Sequence, residues 1–392
     1  MGNDEAPNPP AEKPVEPGPF RAGHGGHGGH GGHAPADTVV ITDSGPVVAQ
    51  QRVSVGRRIA RMYPYLALVV ALLVLAASRV HTDSVAYAPG SASDLTPRIS
   101  LSGAQQFRPK GSFLLATVGL TDRLTVTQWV RARLDADVDL RDYDKVYPSG
   151  RATELNRSRV MMDDSKTLAA LAALRYLGKD GTGAGVKVIE IEPTFPANGK
   201  LVVGDIVTAV NGAPICVAGD LRTGITASVK GAPVTLTVTR KGEPSPVAIG
   251  IVPAYLDGTP LIGVAVETVK CDLPIEVKID TDNIGGPSAG LSMTLAILDL
   301  LTPGELTGGT VVAATGTIEA DGSVGDVGGV KQKTAGVRSA GAKLFLVPPG
   351  EEQEARARAG KLPVVAVRNL SDAIEALRRY GGQSLPSPRA TP

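Results

Sequence analysis

The sequence predicts a mixed α/β fold of two domains, preceded by a membrane-spanning helix and a disordered N-terminal tail. With 392 residues, 42% of them apolar, the chain has room for two hydrophobic cores. The 47 glycines and the aromatic content of only 4% favour a turn-rich fold that contains β-structure. Beyond residue 110, alternating and helical apolar patterns follow one another, which predicts strands and helices in succession.

Charge and cysteine content limit the classes of partner. Forty basic residues stand against 39 acidic ones, so the net charge of +1 gives no global electrostatic reason to expect nucleic-acid binding. Cys216 and Cys271 cannot form a disulfide framework or a zinc site by themselves. A single bridge between them remains open, and two buried free thiols are the favoured alternative.

The first 56 residues are predicted to be a disordered cytoplasmic tail, because they are rich in Gly, Pro and Ala and lack apolar periodicity. Within them, four histidines recur with a period of three: His24, His27, His30 and His33. Histidine repeats can hold transition metals, but a glycine tract offers no preformed ligand geometry. We therefore assign no metal site and no cofactor, and leave adventitious metal binding as the alternative.

An uncharged apolar run predicts a transmembrane helix over residues 62–80. The run from Pro64 to Ser78 contains no charged residue, and arginines flank it unequally, one behind (Arg79) and four in front: Arg52, Arg57, Arg58 and Arg61. The positive-inside rule then predicts a single-pass cell-membrane protein with a cytoplasmic N-terminus and extracytoplasmic domains. A cleaved signal peptide is the alternative, although the preceding tail is too long for an ordinary leader.

The segment after this helix is predicted to hold few elements of secondary structure. Residues 83–110 resemble an extended connector, 111–120 a buried strand and 125–135 a helix. A second helix is predicted over 163–178, because acidic residues occupy its first turn and Gly178 ends it.

Residues 179–253 resemble a bacterial PDZ domain of the protease-associated kind. The resemblance rests on alternating strands and on the segment "PANGKLVVGDIVTAVNG", which ends in an Asn-Gly turn. It implies β-augmentation, in which a peptide adds as a strand at an exposed sheet edge. The small residues of "GTGAGVKV" predict the capture loop, namely Gly183, Ala184, Gly185 and Val186. A PDZ fold kept only as a spacer is the alternative.

Ser288, in "DNIGGPSAG", is either a helix cap or a nucleophile. A Ser-His-Asp triad in the folded region is excluded, because no histidine follows His81. Lysine remains as a base, since Ser-Lys pairs are a known variant of the triad. Lys331 and Lys333 both stand at the start of a predicted helix, and helical periodicity does not choose between them.

"GGPSAG" followed by "TGTIEADGSVGDVGGVKQK" resembles the proteolytic domain of Lon proteases. The resemblance implies that Ser288 is the nucleophile and that Lys331, 43 residues later, is the base, with Lys333 a solvated neighbour and Thr315 a support for the amine. It assigns residues 111–178 and 254–380 to the protease, with the PDZ domain inserted between them, and leaves 381–392 as a disordered tail. This chain contains no G-x-x-x-x-G-K-[ST] motif, so we expect no nucleotide partner and ATP-independent activity.

The implied chemistry needs a neutral lysine, which burial among small apolar residues favours. The backbone N–H groups of Ser288 and Ala289, beside Gly286, are predicted to bind the oxyanion. Gly285 occupies a position that is often aspartate in Lon proteases, and Asp282 is the nearest acidic substitute. The predicted function is a membrane-anchored serine endopeptidase acting on proteins or peptides, with room for a homo-oligomer. The alternative is an inactive PDZ scaffold or adaptor at the membrane.

Overall fold

In a computed structural model of the chain, residues 55–385 are described. The two predicted disordered tails lie largely outside this range, and the four tail histidines lie wholly outside it. The helices in the described part are α1 Val55–Ala77, α2 Val126–Leu134, α3 Tyr143–Val146, α4 Arg151–Tyr176, α5 Ala218–Thr226, α6 Gly290–Leu301, α7 Val330–Ser339, α8 Glu352–Ala359 and α9 Leu370–Arg379.

The strands fall into two larger sheets and three strand pairs. Their bounds are β1 Ser84–Asp94, β2 Ile99–Ser102, β3 Ser112–Asp122, β4 Asp139–Asp142, β5 Thr182–Ile191, β6 Ile206–Val210, β7 Ala213–Pro214, β8 Val234–Thr239, β9 Val247–Ile251, β10 Ala254–Leu256, β11 Thr259–Leu261, β12 Val264–Asp272, β13 Glu276–Ile279, β14 Val311–Ala314, β15 Thr317–Ile318, β16 Val324–Gly325, β17 Leu344–Val347 and β18 Val364–Ala366.

The prediction of a membrane-spanning helix at residues 62–80 is wrong. Among the described residues, no helix is both long enough and apolar enough to cross a bilayer. Helix α1 ends at Ala77, so the part of it that follows Arg61 is 16 residues long (62 to 77). A bilayer core requires about 20 residues of helix.

The first large sheet has the strand order β18-β17-β14-β3-β1-β4. Its β18, β17, β14 and β3 are parallel, and β1 pairs antiparallel with β3 and β4. The segment predicted as a connector, residues 83–110, instead holds β1 inside this sheet and β2 paired with β13. Its side chains are apolar enough to be buried: Val85, Leu95 and Ile99 lie in the core. The sheet thus joins residues on both sides of the PDZ-like segment.

Helix α6 is the centre of the first core. Residues Gly290 to Leu300 are all buried, and they pack with the Ala/Leu half of α4 and with α9. Helices α7 and α8 contribute to a second apolar cluster with other side chains of the same sheet, including Phe345. Helix α6 is buried on every side, so the loop that precedes it is held by a fully enclosed element.

The second large sheet has the order β12-β5-β6-β8-β9, with β7 paired to β6. Its core is rich in Val and Ile, and helix α5 covers it through Leu221 and Ile225. The predicted turn between β6 and β7 forms at Asn211-Gly212, both with positive φ. The sheet continues past the predicted boundary at residue 253, because β12 is contributed by Val264–Asp272.

Cys216 and Cys271 form a disulfide. The prediction of two free thiols is therefore wrong, although the prediction that Cys216 is buried is confirmed. The bridge joins the chain just before α5 to the end of β12, next to Gly181, where a Cβ would lie 3.1 Å from both sulfurs. Beside it, Arg175 of α4 holds Asp220 of α5 through two bonds of 2.6 and 3.0 Å. The pair of Arg175 and Asp220 thus fastens the domain of the second sheet to the end of α4.

Replacing both cysteines with serine should lower the free energy of unfolding by about 2–4 kcal/mol, because the bridge closes a loop across a sequence separation of 55. Denaturant unfolding of the wild type with and without reductant, beside the double variant, measures this difference. Equal stability of the three samples would contradict a bridge that restricts the unfolded chain.

Candidate active site

Ser288 lies in the loop that enters α6, and it does not cap the helix. The helix begins at Gly290, Ala289 is its N-cap residue, and no side chain makes a capping hydrogen bond. The small residue at Gly290 is required by packing, since a Cβ there would lie 2.7 Å from the backbone nitrogen of Ile318. The half-buried Ser288 is thus left without a structural role for its hydroxyl at the helix end.

The glycines before Ser288 bring the loop against α4. The N–H of Gly286 donates to the carbonyl of Ser158 at 2.8 Å, and Gly286 has a φ of 87°, which favours glycine. A Cβ on Gly285 would lie 2.4 Å from the hydroxyl of Ser158. The sequence predicted that these glycines make room for a substrate. The structure shows a second cause, which is the close approach of α4.

A cavity of about 610 Å³ opens at Ser288. The loop from Asn283 to Ala289 forms one wall, and the start of α7 contributes Gly329 and Lys333. One face of α4 forms another wall through residues spaced as helix neighbours, namely Arg151, Leu155, Ser158, Arg159 and Met162. Strand residues from β1, β3 and β4 complete it, so the cavity is large enough for a peptide segment.

Lys333 is the lysine at this cavity. Its side chain is 3% exposed, and its Nζ donates to Thr315 Oγ1 at 3.2 Å. Burial lowers the pKa of Lys333 to about 8, against a smaller opposing effect of Glu351. Desolvation disfavours the ammonium form, so a larger share of this amine is neutral near physiological pH than in an exposed lysine. The prediction that Lys333 is a solvated neighbour is wrong.

Lys331 points to a different partner. Its Nζ pairs with Asp139 of β4, and the adjacent Gln332 holds the other oxygen of the same carboxylate at 2.7 Å. Lys331 does not line the cavity at Ser288. The reason is helical geometry: residues two apart differ by about 200° around a helix, so α7 cannot present both lysines to one site. Of the two lysines that the sequence offered as a base, the structure therefore brings Lys333, and not Lys331, to the cavity at Ser288.

Thr315 connects the two candidate catalytic residues. It is fully buried, its hydroxyl donates to the carbonyl oxygen of Ser288 at 3.1 Å, and it accepts from Lys333. The N–H of Gly316 also donates to the Ser288 carbonyl, at 3.0 Å. Thr315 therefore fixes the backbone of Ser288 and the amine of Lys333 together. The sequence assigned it only a support for the amine.

The predicted oxyanion donors differ in their availability. Within residues 55–385, the N–H groups of Ser288 and Ala289 donate to no protein acceptor. The N–H of Gly286 is already bound to Ser158, so Gly286 shapes the loop and is not free to bind an oxyanion. Asp282, the proposed acidic substitute, is paired with Arg98 at 2.7 Å, is exposed and does not line the cavity.

The predicted peptide-binding residues Gly183, Ala184, Gly185 and Val186 lie in β5, an interior strand paired with β12 on one side and β6 on the other. This prediction is wrong, because an interior strand has no free edge for a peptide. Gly183 and Gly185 are instead required by close packing, since a Cβ would lie within 2.4 Å of the carbonyl oxygens of Ile215 and Val207, respectively.

One edge strand of the second sheet is β9, and the other is β12. A largely apolar groove of about 350 Å³ runs between this strand and α5, lined by residues of both elements and of the loop between β11 and β12, including Leu221, Ile225, Ile262, Gly263, Val264 and Val266. An exposed strand edge beside apolar pockets is the arrangement that β-augmentation requires. The sequence missed it because β12 lies beyond the expected domain boundary.

Helix α5, which forms one side of the groove and is called the groove helix below, also contacts the protease-like part of the chain. The turn between β15 and β16 approaches α5, with Arg222 3.5 Å from Glu319 and the hydroxyl of Thr223 3.4 Å from Asp321. On the other side of this hairpin, the carbonyl of Gly316, which immediately precedes β15, accepts a hydrogen bond from the N–H of Leu291. The hairpin therefore lies between the groove helix and the loop that carries Ser288.

Two known domain families match this chain. Residues 156–251 match the PDZ domain, and residues 270–376 match the Lon protease (S16) C-terminal proteolytic domain. The resemblance predicted from the sequence motifs is thus confirmed for both domains. The second match supports the prediction that this part of the chain is a serine endopeptidase domain of the Lon type.

Individual relatives agree with these families. The Lon protease of Phenylobacterium zucineum (strain HLK1) is 33% identical over 27% of this chain and 14% of its own length. The Lon protease of Ureaplasma parvum serovar 3 is 30% identical over 44% of this chain and 18% of its own. The matched part thus spans less than a fifth of these curated relatives. The PDZ domain of an SdrC-like protein from Listeria monocytogenes is 23% identical over 21% of this chain and 86% of its own, with a TM-score of 0.19, too low to bear on function.

Proposed function

We propose that the chain is an ATP-independent serine endopeptidase in which Ser288 and Lys333 form a catalytic dyad. The observation that carries the proposal is the buried amine of Lys333 at the Ser288 cavity, with its pKa lowered to about 8. A serine hydroxyl is a weak nucleophile until a base accepts its proton. A lysine can serve as that base only in its neutral form, which is the form that burial favours here.

Thr315 orients the reacting groups. Because its hydroxyl hydrogen is given to the Ser288 carbonyl, its lone pairs are free to accept an N–H of Lys333. That hydrogen bond fixes the amine while leaving its own lone pair available for the proton of Ser288. A group held in this way is positioned before the substrate arrives, which lowers the entropic cost of the reaction.

The steps follow from these positions. The neutral Lys333 amine takes the proton of Ser288 as the serine oxygen attacks the peptide carbonyl. The N–H groups of Ser288 and Ala289 stabilise the negative charge that develops on the carbonyl oxygen. The Lys333 ammonium then donates its proton to the departing amine, which leaves an ester on Ser288. Water hydrolyses this ester with Lys333 again as base, and the free serine is restored.

Glu351 influences the charged stage of the cycle. It is 8% exposed, burial raises its own pKa, and its charge favours the ammonium form of Lys333. The carboxylate thus partly offsets the cost of forming an ammonium in a dry environment, while burial remains the larger effect on the resting enzyme. The two together keep the pKa of Lys333 near the range in which proton transfer is efficient in both directions.

We expect Ser288→Ala and Lys333→Met each to lower kcat/KM for an unstructured peptide by about a thousandfold or more, and the double variant to be no worse, because the pair acts as a unit. Lys333→Met is also expected to leave the thermal unfolding midpoint at pH 7 unchanged or raised, because it removes an amine whose charged form is disfavoured by burial. A peptide cleavage assay and thermal unfolding measure both effects.

The matched control is Lys331→Gln, two residues away on the same helix. It removes only the pairing with Asp139, which Gln332 still holds, and it should retain activity within a few-fold. Adding ATP and magnesium should leave all rates unchanged. If Lys331→Gln abolishes cleavage while Lys333→Met does not, the dyad proposed here is refuted. Inactivity of the folded wild type toward all peptides would favour the scaffold alternative.

The pH profile provides a separate prediction. Because the amine of Lys333 must be neutral and its pKa is lowered to about 8, kcat/KM should be low at pH 6, rise through about pH 8 and level off above pH 9. Stopped assays in buffers of constant ionic strength measure the profile, with Lys331→Gln as the control that keeps the same midpoint. A flat profile between pH 6 and 9 would be incompatible with Lys333 as the base.

We propose further that the PDZ domain recruits or gates protein substrates through the groove between α5 and β12. The support is threefold: a free strand edge, an apolar groove beside it, and contact of α5 with the hairpin that binds the Ser288 loop. A peptide held in the groove stays close to the active site, which raises its effective concentration there. The disulfide beside the groove is typical of an oxidising compartment, which supports an extracytoplasmic site of action for this domain.

Val266→Asp, which places a charge in the groove, should impair cleavage of protein substrates several-fold and spare short peptides. Val269→Asp, on the same strand but outside the groove and 43% exposed, is the control and should spare both. Parallel assays with an unfolded protein and a short peptide, on variants of equal thermal stability, test this. Equal effects of the two variants would indicate that the PDZ domain is only a spacer.

A further inference from the structure

Three arginines line the cavity at Ser288 on its α4 and β4 walls. Arg141 of β4 and Arg151 and Arg159 of α4 all line it, and its lining contains no aspartate or glutamate. Arg151 and Arg159 belong to the same face of α4 that meets the loop at Ser158. The arginines are therefore part of the cleft that contains the nucleophile, and they do not form a separate surface patch.

The three guanidinium groups retain most of their hydrogen-bonding capacity. Arg141 stacks 4.5 Å from the ring centre of Tyr87, which also lines the cavity, and this contact orients the group without using its N–H donors. Arg151 uses only its Nε, in a bond to Asp122. Arg159 makes no ion pair or side-chain hydrogen bond within residues 55–385, and it is exposed at the cavity.

The charge around these residues is not balanced. Asp122 offsets part of the charge of Arg151 and is itself bound by the hydroxyl of Tyr147. Arg159 has no such counter-ion among the described residues. Asp139, on the same strand as Arg141, has its oxygens bound by Lys331 and Gln332, and these bonds lower its pKa against the opposing effect of burial. The charge of Arg141 contributes less to that lowering. Planar guanidinium groups bind carboxylates through paired N–H donors, and a concave site lined by one sign of charge attracts the opposite sign.

We propose that this cleft selects peptide segments that carry an acidic side chain beside the scissile bond, and that Arg141, Arg151 and Arg159 determine the selection. The proposal deepens the proposed endopeptidase function and rests on it for the cleavage readout. The ligand is an Asp or Glu side chain of an extended peptide, held by the arginines of α4 and β4 while Ser288 attacks the backbone carbonyl.

The test uses peptides identical except at one position, which carries Asp, Asn or Lys and is moved along both sides of the scissile bond. For wild-type protein, kcat/KM should follow the order Asp, Asn, Lys at one or more positions. Arg159→Gln should lower the ratio of the Asp to the Asn peptide by about two- to fivefold, the effect of one partly exposed ion pair. Arg159→Glu should move the preference toward the Lys peptide. The wild-type ratio should also decline with added salt.

Arg157→Gln is the matched control, because Arg157 is an exposed arginine on the same helix that pairs with Glu154 and does not line the cavity. It should leave the ratio unchanged. Binding of the same peptides to the Ser288→Ala variant, followed by fluorescence anisotropy, separates the two proposals. Preferential binding of the acidic peptide without any cleavage by wild type would sink the proposed function and keep the acidic selection. Equal binding of the three peptides, or ratios that Arg159→Gln and Arg141→Gln leave unchanged, would overturn the selection itself.

Discussion

Burial of the Lys333 amine is the constraint on which the arrangement of the active site depends. An ammonium group loses much of its hydration when it is buried. This loss is partly compensated by one hydrogen bond to Thr315 and by the more distant charge of Glu351. Thr315 can fill this position only because β14 ends immediately before it and its N–H is bound to Leu346 of β17. The parallel strands of the first sheet thus hold the threonine that binds the amine and the carbonyl of Ser288 at the same time.

Helix α4 extends from the cleft to the PDZ domain. At about 1.5 Å per residue, its 26 residues extend about 39 Å. The N-terminal half lines the cleft and receives the Ser288 loop at the Ser158 carbonyl, whereas Arg175 near its C-terminal end holds Asp220 of α5. The disulfide lies beside the same junction, where Leu171 of α4 shares a buried cluster with Cys216. One continuous helix therefore forms a wall of the cleft and also attaches the domain that contains the groove. The β15–β16 hairpin is a second connection between the groove helix and the Ser288 loop.

The sequence motif identified Ser288 but not the lysine that lies at its cavity, and the reason is local geometry. Small residues around Ser288 mark a close approach of backbones, which a motif can show. The choice between Lys331 and Lys333 depends on which face of α7 is buried. Val330, Lys333 and Val337 share one face by their spacing, and Lys331 lies off it. That stripe can be read from the sequence. The number of residues between the serine and the lysine, in contrast, depends on the lengths of the loops between them. It therefore does not show which lysine lies on the buried face of the helix.

Similar reasons explain which other parts of the structure could be predicted from the sequence and which could not. Strands β3 and β6 and helix α2 follow from local apolar patterns, and the capping box at Thr125 fixes the start of α2. The free edge at β12 and the bridge between Cys216 and Cys271 depend on pairing between segments that are distant along the chain. Local patterns carry no information on which strand closes a sheet, so the capture loop was placed on the interior strand β5.

The proposed chemistry and the proposed selection of substrate reside on separate elements. The pKa of Lys333 is lowered by burial, and the only charge that influences it notably is that of Glu351, on the side of α8. The arginines of the cleft belong to α4 and β4, and they are not among the causes of that shift. A change in their charge can therefore alter which peptide is bound without altering the protonation of the base. Such a division allows the cleft to diverge in specificity while the β14, α6 and α7 junction, which holds Ser288, Thr315 and Lys333, stays fixed.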